Sequence, residues 1–135
     1  MQADFRYAMR RFYRYSELQA RQNGITPQQY LLLLTVRGHP AYPAVSIGAV
    51  AERLQIRHHS ASLLVERTVR RGLLNRETDQ DDRRRALVSV TEEGQEILDR
   101  IIKANRQQLG ELEDLLFGAD FISNLQESRK MEAEP

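Results

Sequence analysis

Ser46-Ile47-Gly48-Ala49-Val50-Ala51-Glu52-Arg53-Leu54-Gln55-Ile56-Arg57-His58-His59-Ser60-Ala61-Ser62-Leu63-Leu64-Val65-Glu66-Arg67-Thr68 is the stretch that decides the fold. Ile47, Val50, Ala51 and Leu54 fall at i, i+3, i+4 and i+7, so they line one face of a helix that Ser46 can cap. Ala61, Leu64, Val65 and Thr68 repeat that spacing from a second start near His58. Only Gln55-Ile56-Arg57 separates the two periods. Two short amphipathic helices joined by a three-residue turn are a helix-turn-helix.

Working outward toward the carboxyl end, Arg70-Arg71 places cations at the negative end of the helix dipole, and Gly72 stops the helix. Leu73 to Thr78 and Arg85 to Val90 read as two strands, and the polar stretch Asp79-Gln80-Asp81-Asp82-Arg83-Arg84 between them reads as a charged hairpin tip. Thr91 then caps a long helix with Glu92 and Glu93 in its first turn. Leu98, Ile102, Asn105, Leu109, Leu112 and Leu116 alternate steps of four and three, a coiled-coil-like seam with one polar member. From Thr91 to Leu116 this helix spans about 40 Å at 1.5 Å per residue, so it projects beyond a small globule and its stripe needs a partner. Gly118 is expected to break it, Phe121, Ile122 and Leu125 to form one more short helical piece, and Gln126 to Pro135 to fray.

Toward the amino end, residues 4–22 contain neither Pro nor Gly, and Phe5, Ala8, Met9, Phe12 and Tyr15 recur at helical steps. The opposite face carries Arg6, Arg10 and Arg14, whose mutual repulsion at i,i+4 favours an acidic partner surface. Asn23-Gly24 closes this helix. Thr26-Pro27 opens the next as N-cap and first-turn proline; its run Tyr30 to Val36 is apolar on nearly every side, which predicts a buried helix ending at Gly38. His39 to Ala44, with Pro40 and Pro43, is a loop.

The 135 residues suffice for one domain with a helical appendage, and the absence of cysteine excludes disulfides, thiolate metal sites and thiol redox chemistry. The longest apolar run, Tyr30-Leu31-Leu32-Leu33-Leu34, is far short of a membrane span, and no signal-like segment follows a basic start, so a cytoplasmic protein is expected. Twenty basic side chains nearly balance 19 acidic ones, for a net charge of +1. That total conceals a division: residues 1–87 hold 15 basic and 8 acidic side chains, whereas residues 88–135 hold 5 and 11. All the basic residues except Lys103 and Lys130 are arginine, which suits planar recognition of phosphate or carboxylate and equally fits a GC-rich genome.

Helix, turn, helix and charged hairpin form a winged helix-turn-helix plan, mainly α with a small β-hairpin. In such a plan the second helix enters the major groove of duplex DNA by its N-terminal end. That end presents Arg57, His58, His59, Ser60 and Ser62. The hairpin offers Arg83, Arg84 and Arg85, and an arginine at a wing tip can enter the narrow minor groove, where negative potential is focused.

From Ile25 to Ile97 the sequence resembles the MarR family of bacterial transcription regulators, through Ile47-Gly48-Ala49-Val50-Ala51-Glu52-Arg53-Leu54, the helix Arg57 to Leu74, and Asp82-Arg83-Arg84-Arg85 leading to Val88-Ser89-Val90-Thr91-Glu92-Glu93-Gly94. The resemblance implies that Asp82 braces the wing and Arg84 reaches the minor groove. It also implies a homodimer with intertwined terminal helices. Such a dimer would give the long rod its partner and could set Arg6, Arg10 and Arg14 against Glu111, Glu113 and Asp114. The chain then divides into a dimerisation helix (1–24), a DNA-binding domain (25–91) and a long C-terminal dimerisation region (92–135). The implied function is a sequence-specific transcription regulator, most often a repressor, on a pseudo-palindromic operator. The sequence departs from the family pattern in a longer loop from His39 to Val45, which shifts the first wing strand, and at Leu63, a position often polar, where contact with a thymine methyl and local packing both fit.

Plainer readings apply to several of these residues. His58 and His59 point in different directions on a helix and, with His39 as the only other histidine, do not make a metal site. Asp79, Asp81 and Asp82 begin like a calcium loop, but Arg83 and Arg84 occupy positions that need a ligand and a turn glycine; orienting the wing arginines is their expected role. Arg67, Arg70 and Arg71 fit either phosphate contact or a solvated face. Tyr7, Phe12, Tyr13, Tyr15 and Tyr30 fit either ordinary packing or the pocket for a small aromatic effector that the resemblance implies for several members. No acid/base pair or nucleophile constellation can be assembled, so no enzyme and no cofactor are expected. The rival reading is a winged-helix module whose arginines meet an acidic protein instead of DNA.

Overall fold

The computed structural model describes residues 1–118, 126–127 and 129–133. In it the stretch from Ser46 onward is two helices, α3 (Ile47–Leu54) and α4 (His58–Arg70), preceded by α1 (Gln2–Gln22) and α2 (Pro27–Gly38). The Ser46 side chain accepts from the Ala49 amide at 3.1 Å, capping α3 as its sequence predicts. Between α3 and α4 the chain reverses through Gln55 in the left-handed region (φ 55). The amides of Gln55 and Ile56 close this turn on the carbonyls of Glu52 and Ala51. At the start of α2 the expected cap is a complete capping box: Gln29 N donates to Thr26 Oγ1 and Thr26 N to Gln29 Oε1.

Strands β2 (Leu74–Thr78) and β3 (Ala86–Val90) pair antiparallel, with Leu74 opposite Val90 and Thr78 opposite Ala86. The sheet has a third strand that the sequence did not announce, β1 (Val45–Ser46), with Val45 opposite Val88 and Ser46 opposite Leu87 in the order β1-β3-β2. Two residues are too few to show alternation, so only pairing with the distant β3 defines this strand. The loop before it is held from outside: Tyr42 Oη accepts from Gln95 Nε2, while Arg37 at the end of α2 pairs with Asp99 at 2.7 Å.

One core joins these elements. Leu32, Leu33 and Val36 of α2, Val50 of α3, Val65 of α4, Val88 of β3 and Leu98 and Ile101 of the long helix α5 (Glu92–Phe117) are almost fully buried together. The expectation that α2 is buried all round is corrected: Leu31 and Leu34 are 42% and 38% exposed. A helix of 3.6 residues per turn cannot present seven consecutive side chains to one core, and these two fall on its far side. The expected seam on α5 is covered by its own chain only in part, and the Leu116 side chain lies outside the described residues. Ile97, Leu98, Ile101 and Asn105 are buried, Ile102 and Leu112 are half-buried and Leu109 is 42% exposed. Up to Asn105 the helix therefore packs with an ordinary helical period against its own chain.

Thr91 and Gly94 explain how α5 is set against the wing. Thr91 Oγ1 donates to Gly72 O and accepts from Gly94 N, and Thr91 N donates to Leu73 O. A Cβ on Gly94 would collide with the Leu73 carbonyl oxygen and lie 2.7 Å from Val90 Cγ1, so only glycine lets α5 begin this close. Gly118 caps α5 as expected. The helical piece expected at Phe121, Ile122 and Leu125 lies outside the described residues. Residues 126–127 and 129–133 are helical rather than frayed.

Candidate nucleic-acid interface

Helix α4 opens without a side-chain cap at Arg57, so the amides of its first turn stay open to an acceptor. Arg57, His58, His59 and Ser60 are exposed there and Ser62 is half-buried, because Ala61 and Val65 anchor the opposite face in the core. Burial of one face thus forces the polar residues outward.

The wing is organised by one carboxylate. Asp82 Oδ1 accepts from the Arg84 amide at 3.1 Å and from Arg84 Nε at 3.3 Å. A side chain that is 91% exposed is thereby given a direction. The tip is closed by Arg85 N on Asp82 O and by Asp79 N on Arg85 O. Asp79 Oδ1 accepts from the Asp81 amide. Of the three aspartates expected to orient the wing arginines, Asp82 pairs with Arg84, whereas Asp79 folds the backbone of the turn. Arg83 is exposed at the tip.

The predicted residues divide between two sides of α4. His58 and Ser62 line a cleft of ≈ 340 Å³ with Arg84 and Arg85 of the wing, and Arg76 of β2 joins them. Ser60 and Arg67 line a different groove, of ≈ 420 Å³, with Leu31, Ile56 and Leu63. Leu63, 39% exposed, therefore stands in an apolar trough on the far flank of the helix. Arg76 was missed by sequence reasoning. Strand β2 buries only Leu74 and exposes the remaining four residues, so alternation along it carries no signal, and the cleft exists only once β2 lies beside α4.

A second cleft, of ≈ 550 Å³, opens between α1 and α5, with Phe12, Tyr15 and Leu18 facing Gln108 and Leu112, and Arg14 and Glu111 both at its edge. Asn105 Nδ2 reaches Ser16 Oγ and Tyr30 Oη at 3.5 and 3.4 Å. The side-chain oxygens Asn105 Oδ1 and Gln108 Oε1 are buried without a partner among the described residues. Of the five candidate effector aromatics, Tyr30 is in the core, Phe12 and Tyr15 line this cleft, and Tyr7 and Tyr13 are 62% and 50% exposed.

A capped positioning helix, an exposed second helix and an arginine-tipped antiparallel wing define a winged helix-turn-helix protein. Residues 23–85, from just after α1 through the wing tip, match the model of the MarR family. Curated protein sequences give no significant match. Similar solved structures include a complex of Staphylococcus aureus MepR with DNA (20% identity, TM-score 0.75, 98% of this chain and 96% of that one). A mutant Escherichia coli MarR with operator DNA is similar at 19% identity and TM-score 0.71, covering 96% of this chain and 90% of that one. Bordetella bronchiseptica BpsR, described as regulated in its DNA binding by 6-hydroxynicotinic acid, matches at 22% identity and TM-score 0.69, covering 100% and 94%.

Proposed function

We propose that this protein is a sequence-specific DNA-binding transcription regulator, acting as a repressor and not as an enzyme, that grips a pseudo-palindromic operator as a homodimer in the cytoplasm. The observation that carries the reading is the aimed wing: Asp82 holds Arg84 clear of the sheet, beside the exposed first turn of α4. Residues 25–91 supply the reading head. Residues 1–24 and 92–135 supply the dimer interface, a role supported by Tyr7, Leu18 and Leu109, large side chains that one chain leaves about half exposed. The partly apolar cleft between α1 and α5 supports binding of a small aromatic effector there, or its closure by the second protomer. A MepR complex and an operator-bound MarR with the same fold support duplex DNA as the partner.

Selection of bound sequences from a random duplex pool tests the reading. Two inverted half-sites about 10 base pairs apart, centre to centre, are expected, since each recognition helix of a dimer occupies one major groove. A pool with no enriched sequence would overturn it. Within that experiment, His59→Ala or Ser62→Ala is expected to change the enriched sequence while non-specific affinity stays within about twofold, because base-edge contacts specify and phosphate contacts position. Identical enriched sequences for variant and parent would remove both residues from base reading. A second reading, docking of an acidic protein, draws on the apolar groove of Leu31, Ile56 and Leu63 beside Arg67; duplex binding by the purified chain at physiological salt excludes it as the only use.

A further inference from the structure

The cleft between α4 and the wing gathers one imidazole and three guanidinium groups: His58 with Arg76, Arg84 and Arg85. Its other lining residues are uncharged, Ser46 to Ala49 from the start of α3, Ser62 from α4 and Ala86 from β3. Of the carboxylates close in sequence to these groups, Glu77 is exposed on β2 and Asp82 is engaged with Arg84. On α4 itself the flanking titratable or charged groups are Arg57 and His59, both exposed.

Duplex geometry specifies what passes through this cleft. If α4 lies in a major groove and Arg84 in the neighbouring minor groove, the sugar-phosphate backbone that separates the grooves must run between them. The space between them is the cleft. A phosphodiester there meets Arg76 and Arg85, and it favours the charged form of a neighbouring imidazole, which then donates from both ring nitrogens. Histidine is the side chain whose charge ordinarily changes between pH 5 and 8.

We propose that this cleft seats one phosphodiester of the bound duplex and that His58 takes up a proton as the phosphate enters, so that DNA affinity rises as pH falls. The proposal rests on the DNA-binding reading and adds to it a site, a residue and a sign. By linkage, uptake of one proton per recognition helix steepens binding by at most about tenfold per pH unit for each helix engaged.

The test is the affinity of the full chain for a duplex recovered from the random pool, measured from pH 8 to pH 6 at constant ionic strength. Wild type is expected to tighten by about tenfold or more over that range. His58→Gln keeps a hydrogen-bonding side chain without a titrating group, and it is expected to give a flat profile. His39→Gln, in the loop after α2, should keep the slope, and Arg76→Gln should weaken binding at every pH. Binding that is flat in wild type, or a slope that survives in His58→Gln, overturns the proposal alone. No duplex binding at any pH overturns it together with the DNA-binding reading. Inorganic phosphate, added at constant ionic strength, is expected not to compete. Competition in wild type that disappears in His58→Gln would make the cleft a free-phosphate site and overturn the assignment to the duplex.

Discussion

Replacing Arg84 by alanine is expected to weaken duplex binding by about a hundredfold and to make the loss nearly independent of sequence. A single arginine contact with DNA contributes about 1–3 kcal/mol, and tenfold in affinity corresponds to about 1.4 kcal/mol. In a dimer both wings lose the contact, so about 1.4 kcal/mol per wing, inside that range, gives two factors of ten. The slope of log affinity against log salt should fall by about 2, one released counterion for each wing. Asp82→Asn separates aim from charge. It loosens the 3.1 and 3.3 Å bonds to Arg84 and leaves the guanidinium in place, so affinity should fall less than for Arg84→Ala. Fluorescence anisotropy at several salt concentrations reads both quantities. An Arg84→Ala protein with parental affinity and slope would take the wing out of the mechanism.

Gly94→Ala is expected to cost about 2–3 kcal/mol of stability, within the range for forcing one carbon into a filled core. The added carbon meets the Leu73 carbonyl oxygen, which already accepts from Thr91 N, and a valine methyl on β3. Neither is the loose end of a flexible side chain. Relief requires the start of α5 to lift from the strand entry, loosening the Thr91 bonds to Gly72 and Gly94. Gly110→Ala on the same helix is the control: a Cβ there meets nothing within 4 Å, so helix propensity should stabilise it by up to about 1 kcal/mol. Urea unfolding of the two variants beside the parent decides. A Gly94→Ala midpoint equal to the parent's would mean that the close approach of α5 to Leu73 does not exist in solution.

The two outcomes bear on different kinds of legibility. Helices α3 and α4 could be located from sequence because each carries its own four-residue apolar stripe, and Ser46 announces the cap that Ala49 N then satisfies. The motif around Thr91 and Gly94 was visible as a resemblance, while its cause, the Leu73 carbonyl just before β2 lying against the first turn of α5, was not. Strand β1 was illegible because its partner Val88 lies far along the chain. Arg76 was illegible as a site residue because its strand is exposed along nearly its whole length. On α2 the apolar run concealed the division between buried Leu32 and Leu33 and exposed Leu31 and Leu34, since composition alone does not say how many faces of a helix have neighbours.

By itself the sequence determined the helix-turn-helix, the wing, the caps and the separation of a basic half from an acidic rod. All of these follow from interactions within one or two turns of chain, and those are encoded by spacing. Tertiary structure alone decided that His58 and Arg76 share a cleft while Ser60 and Arg67 face another, and that α5 packs on its own chain as far as Asn105. These depend on which side of each element is covered. That coverage is set by contacts between residues remote in sequence, where neither periodicity nor composition has a term.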